Sequence, residues 1–196
     1  IWHTPSGTVY PLVHNFIEDY YQYLDIMRQG YDGWWGATSR LTGEVYPRMF
    51  VSVFLLFLGH IARVLHISLP MAYTGARVLG GGVLMVLVYQ LIRKIFPESY
   101  KKRIVAFCFV LFSTYIWGWG PNGPTVAPLT HAWTELDPIF RWSFVPHHLW
   151  SKVGMLSVFL LLLQPSTILH NSLFILLVFV MGFTNPVAYA TFVPTL

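Results

Sequence analysis

The stretch Leu79-Gly80-Gly81-Gly82-Val83-Leu84-Met85-Val86-Leu87-Val88-Tyr89-Gln90-Leu91-Ile92, followed by Arg93-Lys94 and, after Pro97, by Lys101-Lys102-Arg103, decides how this chain is read. Traced back to Leu69, the apolar run reaches the length of about 20 residues that a membrane-spanning helix needs. The three glycines allow another helix to approach closely, a common device inside membranes. The run ends at five cations within eleven residues, opposed only by Glu98. Basic residues concentrate on the cytoplasmic side of a membrane, so this turn is expected there.

Working outward, further apolar runs at 104–119, 150–164 and 168–185 predict three more spans. Alternation then puts 1–68 (1–47 being the first outer loop), 120–149 and the tail after Asn185 on the outer face. Independently of the charge rule, seven of the eight acids (Glu18, Asp19, Asp25, Asp32, Glu44, Glu135 and Asp137) fall in the first two of those segments. The remaining apolar run, within 48–67, holds only about ten uninterrupted apolar residues before Gly59, His60 and Arg63, so an interfacial or re-entrant juxtamembrane helix is expected rather than a span. Counted as a true span, it would invert the topology and put the basic turn outside. The fold class that follows is all-α: a polytopic transmembrane helix bundle with extracytoplasmic loops and juxtamembrane helices.

Composition agrees. Of 196 residues, 55% are apolar and 10% charged, against roughly 25% charged in an ordinary soluble domain. Mean hydropathy is +0.56. Disorder, collagen and a disulfide scaffold are excluded, and the lone Cys108 can neither bridge internally nor complete a zinc cluster. A net charge of +4 does not argue for nucleic acid, because five of the twelve basic residues crowd into one turn.

In the first outer segment, Ile17, Tyr20, Tyr21, Leu24 and Met27 recur at helical spacing, and Gly30 is a plausible stop. Asp19 and Tyr23, four apart, share a face. Asp25 and Asp32 read as facing water. The second outer segment opens with Gly120-Pro121-Asn122-Gly123-Pro124, read as irregular backbone. It continues through His131, Glu135, Asp137-Pro138 and Arg141 to His147-His148. Ionisable groups beside an otherwise apolar chain are functional candidates by default. The Trp residues read first as an aromatic belt at the interfaces.

The order Asp19-x-x-x-Tyr23, Pro47 opening a juxtamembrane apolar helix, Ala76-Arg77 beginning a span that ends in Tyr89-Gln90-Leu91-Ile92-Arg93-Lys94-Ile95-Phe96, and then Leu136-Asp137-Pro138 resembles the GT-C glycosyltransferase superfamily. The similarity is greatest to its protein O-mannosyltransferase, aminoarabinose transferase and RgtA-like branches, and runs from about Asn15 to Pro186. It implies an N-terminal catalytic portion of a longer chain, with a span ahead of Ile1 and several after Leu196. Many relatives follow the first Asp with Glu. Here Glu18 precedes Asp19 and Tyr20 follows it, which keeps both carboxylates open as the base.

The resemblance implies sugar transfer from a polyprenyl-phosphate donor to a lipid, glycan or protein acceptor at the outer face of a membrane, expected to be a bacterial inner (plasma) membrane, with no nucleic acid involved. Asp19 is the first candidate for general base, with Glu18 and Asp137 as further catalytic candidates. Arg141 suits the leaving phosphate, and His147 and His148 suit hydrogen bonding to it. Tyr23 and Glu135 complete the substrate-binding set. A divalent metal, held by His131 with Glu135 or Asp137, belongs to some members of the superfamily and not to others. The competing reading is a non-catalytic transporter or flippase-like protein. Such proteins bind their cargo near the bilayer midplane, whereas the ionisable residues here gather in the outer segments.

Overall fold

The structure, a computed structural model, describes residues 17–40, 43–44, 47–50, 52–113, 117–120, 123–126, 142, 145–165 and 167–185; of Ile17, Glu18 and the hairpin strands only the backbone is described. Two compact units divide at Ala76, within the third helix.

In the first unit, α1 (Ile17–Tyr31) buries Tyr20 and Met27 as its periodicity requires. Gly30 does not end it. The chain reverses three residues later, at Gly33 in the left-handed region (φ 99°). There Trp34 N donates to Gln29 O (3.0 Å) and Gly33 N to Gly30 O (2.9 Å), the paired bonds of a Schellman ending. Gly30 serves packing instead. A Cβ on it would strike the Leu56 backbone carbonyl of α2 (Val53–Leu65), and a Cβ on Gly59 would strike the Met27 carbonyl. The two helices therefore cross backbone to backbone through reciprocal glycines, closing over Met27 and Leu56, both fully buried. The expected juxtamembrane helix over 48–67 is shorter than the sequence suggests, because Arg48 and Met49 belong to the preceding loop, where Met49 forms a β-bridge with Ala37.

α3 (Leu69–Ile95) runs 27 residues, about 40 Å at 1.5 Å per residue. It is long and apolar enough to cross a membrane, and extends three residues past the expected end at 92. Two of its three central glycines are used. A Cβ on Gly80 would crowd the Trp150 indole nitrogen (3.1 Å), one on Gly81 would strike the Trp142 carbonyl, and Gly82 faces open space.

The span expected at 104–119 is corrected by the structure. α4 (Tyr100–Phe112) ends earlier, and Trp117–Gly120 and Gly123–Val126 pair as an antiparallel hairpin, β1 and β2, in the register Trp117 to Val126 and Gly120 to Gly123. Thus Gly120, Gly123 and Pro124 are strand residues rather than irregular backbone, and one small sheet accompanies the helices among the described residues. The dipeptide Asn122-Gly123 is a sequence signal for a turn or loop here.

α5 (Pro146–Leu162) begins four residues before the expected 150, with Pro146 in its first turn, where a missing N–H costs nothing. α6 (Ile168–Thr184) starts at Thr167, whose hydroxyl accepts from His170 N (3.2 Å). Each of these 17-residue helices is about 25 Å long, just under the roughly 30 Å hydrocarbon core. They pack through Gly154, where a Cβ would lie 2.6 Å from Met181 Cγ. Leu84 of α3 joins Leu149 and Val153 of α5 in the buried core of this unit.

Candidate functional site

Asp19 stands exposed in the second residue step of α1, one turn before Tyr23. The Tyr23 ring stacks nearly parallel on Tyr73 (6.4 Å between centroids, 16°), and Tyr73 meets Tyr20 edge-on at 5.2 Å. Burial raises the Tyr23 pKa above its usual 10, and the negative charge of Asp19 raises it further. The expected shared face is therefore an electrostatically coupled pair: an accessible carboxylate beside a phenol that stays protonated and can donate. Glu18 lies on the same helix, and its side chain falls outside the described residues.

The second described group is in the other unit. His147 and His148 open α5 with ring centroids 4.4 Å apart. Asn185, which caps α6, donates from Nδ2 to His148 Nδ1 at 3.3 Å. This bond ties the start of α5 to the end of α6, the geometry of an antiparallel pair. Ser151 Oγ donates to the His147 carbonyl (2.7 Å). His147 lies ahead of the span expected from 150. Burial, and then the neighbouring His148, lower its pKa to about 4. At neutral pH His147 is an uncharged imidazole, suited to hydrogen bonding and not to supplying charge.

His131, Glu135, Asp137 and Arg141 lie outside the described residues. Among the described residues, no three His, Cys, Asp or Glu side chains come together in a way that could hold a metal ion.

Sequence reasoning missed a polar hub in the first unit. Gln29, 1% exposed, donates to Asp25 Oδ2 (3.1 Å) and Thr38 O (3.0 Å), and its Oε1 accepts from Thr38 N (2.9 Å) and Arg48 Nη1 (3.3 Å). Arg48 also lies 3.8 Å over the Trp34 ring. Trp35 stacks on His60 at 4.0 Å, and His60 Nε2 donates to Trp34 O (3.2 Å). These tryptophans and His60 are structural partners of one another and of Arg48. Asp25 and Asp32, expected to face water, pair with Arg40 (3.2 Å) and Arg28 (3.1 Å). Beside the hub a cleft of about 290 Å³ opens between Tyr21, Asp25, Thr38, Arg40 and Met49. Of the partners of this buried glutamine, only Asp25 lies at helical spacing; Thr38 and Arg48 lie nine and nineteen residues away and leave no periodic trace.

No protein family, curated protein or solved structure matches this chain.

Whatever the site does thus rests on its own chemistry. The described residues offer one exposed carboxylate coupled to a donor phenol, a satisfied polar hub beside a cleft, and a histidine pair at a helix start whose His147 is held neutral by burial.

Proposed function

We propose that this chain is part of a polytopic membrane glycosyltransferase, acting at the outer face of a bacterial inner membrane on a polyprenyl-phosphate sugar donor. The observation that carries the reading is the Asp19–Tyr23 pair, an accessible carboxylate whose charge is felt by a half-buried phenol one helical turn away. It is supported by an apolar 27-residue helix in the same chain.

In the reaction, the acceptor hydroxyl gives its proton to the Asp19 carboxylate as its oxygen attacks the anomeric carbon of the donor. The bond from that carbon to the phosphate oxygen breaks, and its electrons leave with the lipid phosphate. Tyr23, held protonated, donates a hydrogen bond that orients the acceptor. Arg141 meets the growing charge on the leaving phosphate, while neutral His147, with His148, contributes hydrogen bonds. Asp137 and Glu135 orient the acceptor or, with His131, hold a divalent cation.

The test is sugar transfer by the full-length protein, reconstituted with polyprenyl-linked donors. Asp19→Asn is expected to lower the rate about a hundredfold or more, the usual range for a lost general base, and Asp137→Asn to lower it as well. Wild-type rates in both variants would overturn the assignment.

A further inference from the structure

The cleft beside Gln29 is fixed in shape by bonds on which the sugar-transfer reading does not draw. α1 lines it with Tyr21 and Asp25, and the loop that follows lines it with Thr38, Arg40 and Met49. Gln29, 1% exposed, joins helix to loop: its Nε2 donates to Asp25 Oδ2 (3.1 Å) and Thr38 O (3.0 Å), and its Oε1 accepts from Thr38 N (2.9 Å). Met49 is tied to the same loop by two backbone bonds with Ala37, each 2.9 Å. The cleft is therefore formed before any ligand arrives, which lowers the ordering cost of binding. Its volume, about 290 Å³, lies at the small end of the roughly 300–1,000 Å³ range of small-molecule sites. A ligand of one ring suits that size.

Charge narrows the class of ligand. Arg40 Nη1 lies 3.2 Å from Asp25 Oδ1, so the two charges offset each other and the pair favours neither an anion nor a cation. Arg48, the other cation of the hub, is turned to Gly36 O and the Trp34 ring and does not line the cleft. What Asp25 and Arg40 present is an acceptor and a donor side by side. A guanidinium carries five N–H groups in a fixed fork and a carboxylate accepts about four hydrogen bonds, of which each Asp25 oxygen makes one here. Two hydroxyls on neighbouring carbons match that arrangement, one donating to the carboxylate and the other accepting from the guanidinium. A trans peptide group does not, because its N–H and C=O point in opposite directions. Tyr21, 62% exposed, and Met49, 47% exposed, add apolar surface at the same cleft, against which the C–H face of a ring can lie. Both features together select a neutral ring bearing adjacent hydroxyls.

We propose that this cleft binds a neutral sugar ring, with two adjacent hydroxyls on the Asp25–Arg40 pair and its C–H face on Tyr21. Asp25 is six residues on from Asp19, about a third of a turn away round α1, so this is a separate subsite from the Asp19–Tyr23 face. It stands or falls without the sugar-transfer reading, since its test reads binding and not transfer.

The experiment uses the full-length protein in phosphatidylcholine nanodiscs, free of glycoside detergent, titrated with the methyl glycosides of glucose, galactose and mannose and read by saturation-transfer NMR. Saturable binding of at least one glycoside is expected, with neither tetrahydropyran nor adenine displacing it. Arg40→Gln removes the donor and Asp25→Asn the charged acceptor. Each should weaken binding about tenfold or more, as the loss of a hydrogen bond to a charged group does, and Tyr21→Leu should weaken it several-fold. The Arg40 side chain is exposed, so Arg40→Gln is expected to melt like wild type and decides the matter even if Asp25→Asn unfolds. Absence of saturable binding by wild type, or wild-type affinity in the folded Arg40→Gln variant, would overturn the proposal. Displacement by adenine would also overturn it, identifying a cleft for a flat heterocycle, and displacement by tetrahydropyran would leave only an apolar surface.

Discussion

The first unit and the second bury their interiors to different extents. Residues of the first unit pack backbone against backbone at Gly30 and Gly59, and the buried polar atoms of Gln29 have partners on every side. Helices of the second unit leave long apolar side chains outside, with Phe109 72% and Ile168 88% exposed. In water each such side chain forgoes burial worth about 1.5–3 kcal/mol. The contrast is one of degree, because the first unit exposes apolar side chains as well, with Val64 73% and Met71 63% exposed; the second unit also carries most of α3, the helix long and apolar enough to cross a membrane.

That contrast can be broken in three ways. The largest effect is expected at the glycine crossing. Gly59→Ala puts a methyl group into the Met27 backbone, which cannot move aside as a side chain would. Its cost should exceed about 3 kcal/mol, the upper end for overpacking. Gly82→Ala, facing open space in α3, should be neutral or stabilise by about 0.5–1 kcal/mol through helix propensity. Thermal unfolding of the full-length protein in detergent compares the two, and equal melting temperatures would refute the crossing.

Next comes the apolar exterior. Val86 of α3 is 57% exposed. If its neighbour is hydrocarbon, Val86→Asp should disfavour insertion by about 3 kcal/mol on the translocon scale. A side chain in water would tolerate the change within about 0.5 kcal/mol. Glycosylation-site mapping of insertion efficiency distinguishes the two.

The third effect depends on pH. The folded pKa of His147 is about 4, below its usual 6.5. Between these values the unfolded chain binds the extra proton and the folded chain does not, so stability rises with pH across the window. The contribution is full above pH 6.5 and is lost on acidification toward pH 4. Going from pH 7 to pH 5 should cost about 2 kcal/mol, measured by denaturant unfolding in detergent. In His147→Gln this increment should vanish.

Much of this was legible beforehand because it is local. The helix from Leu69, its basic end and the face shared by Asp19 and Tyr23 all follow from side chains within a few residues of one another. The hairpin at 117–126 was misread, because the apolar run through Trp119 masked a turn whose strands are only four residues each. Gly30 reads as an ending because a helix-stopping glycine and a packing glycine look alike until the opposing chain is known. The contacts of Trp34 and Trp35 with His60, the first across 26 positions, are invisible to periodicity.

Hydropathy, helical period and the location of charge determined by themselves that this chain builds apolar helices with its acids gathered on one set of segments. These are sums over neighbouring residues, each contributing regardless of the rest of the fold. Tertiary structure alone decided which glycines admit a backbone, which glutamine is buried with all its bonds made, and that the start of α5 is fastened to the end of α6 at His148 and Asn185. Those depend on pairings between distant residues, whose energy exists only once both partners have been brought together.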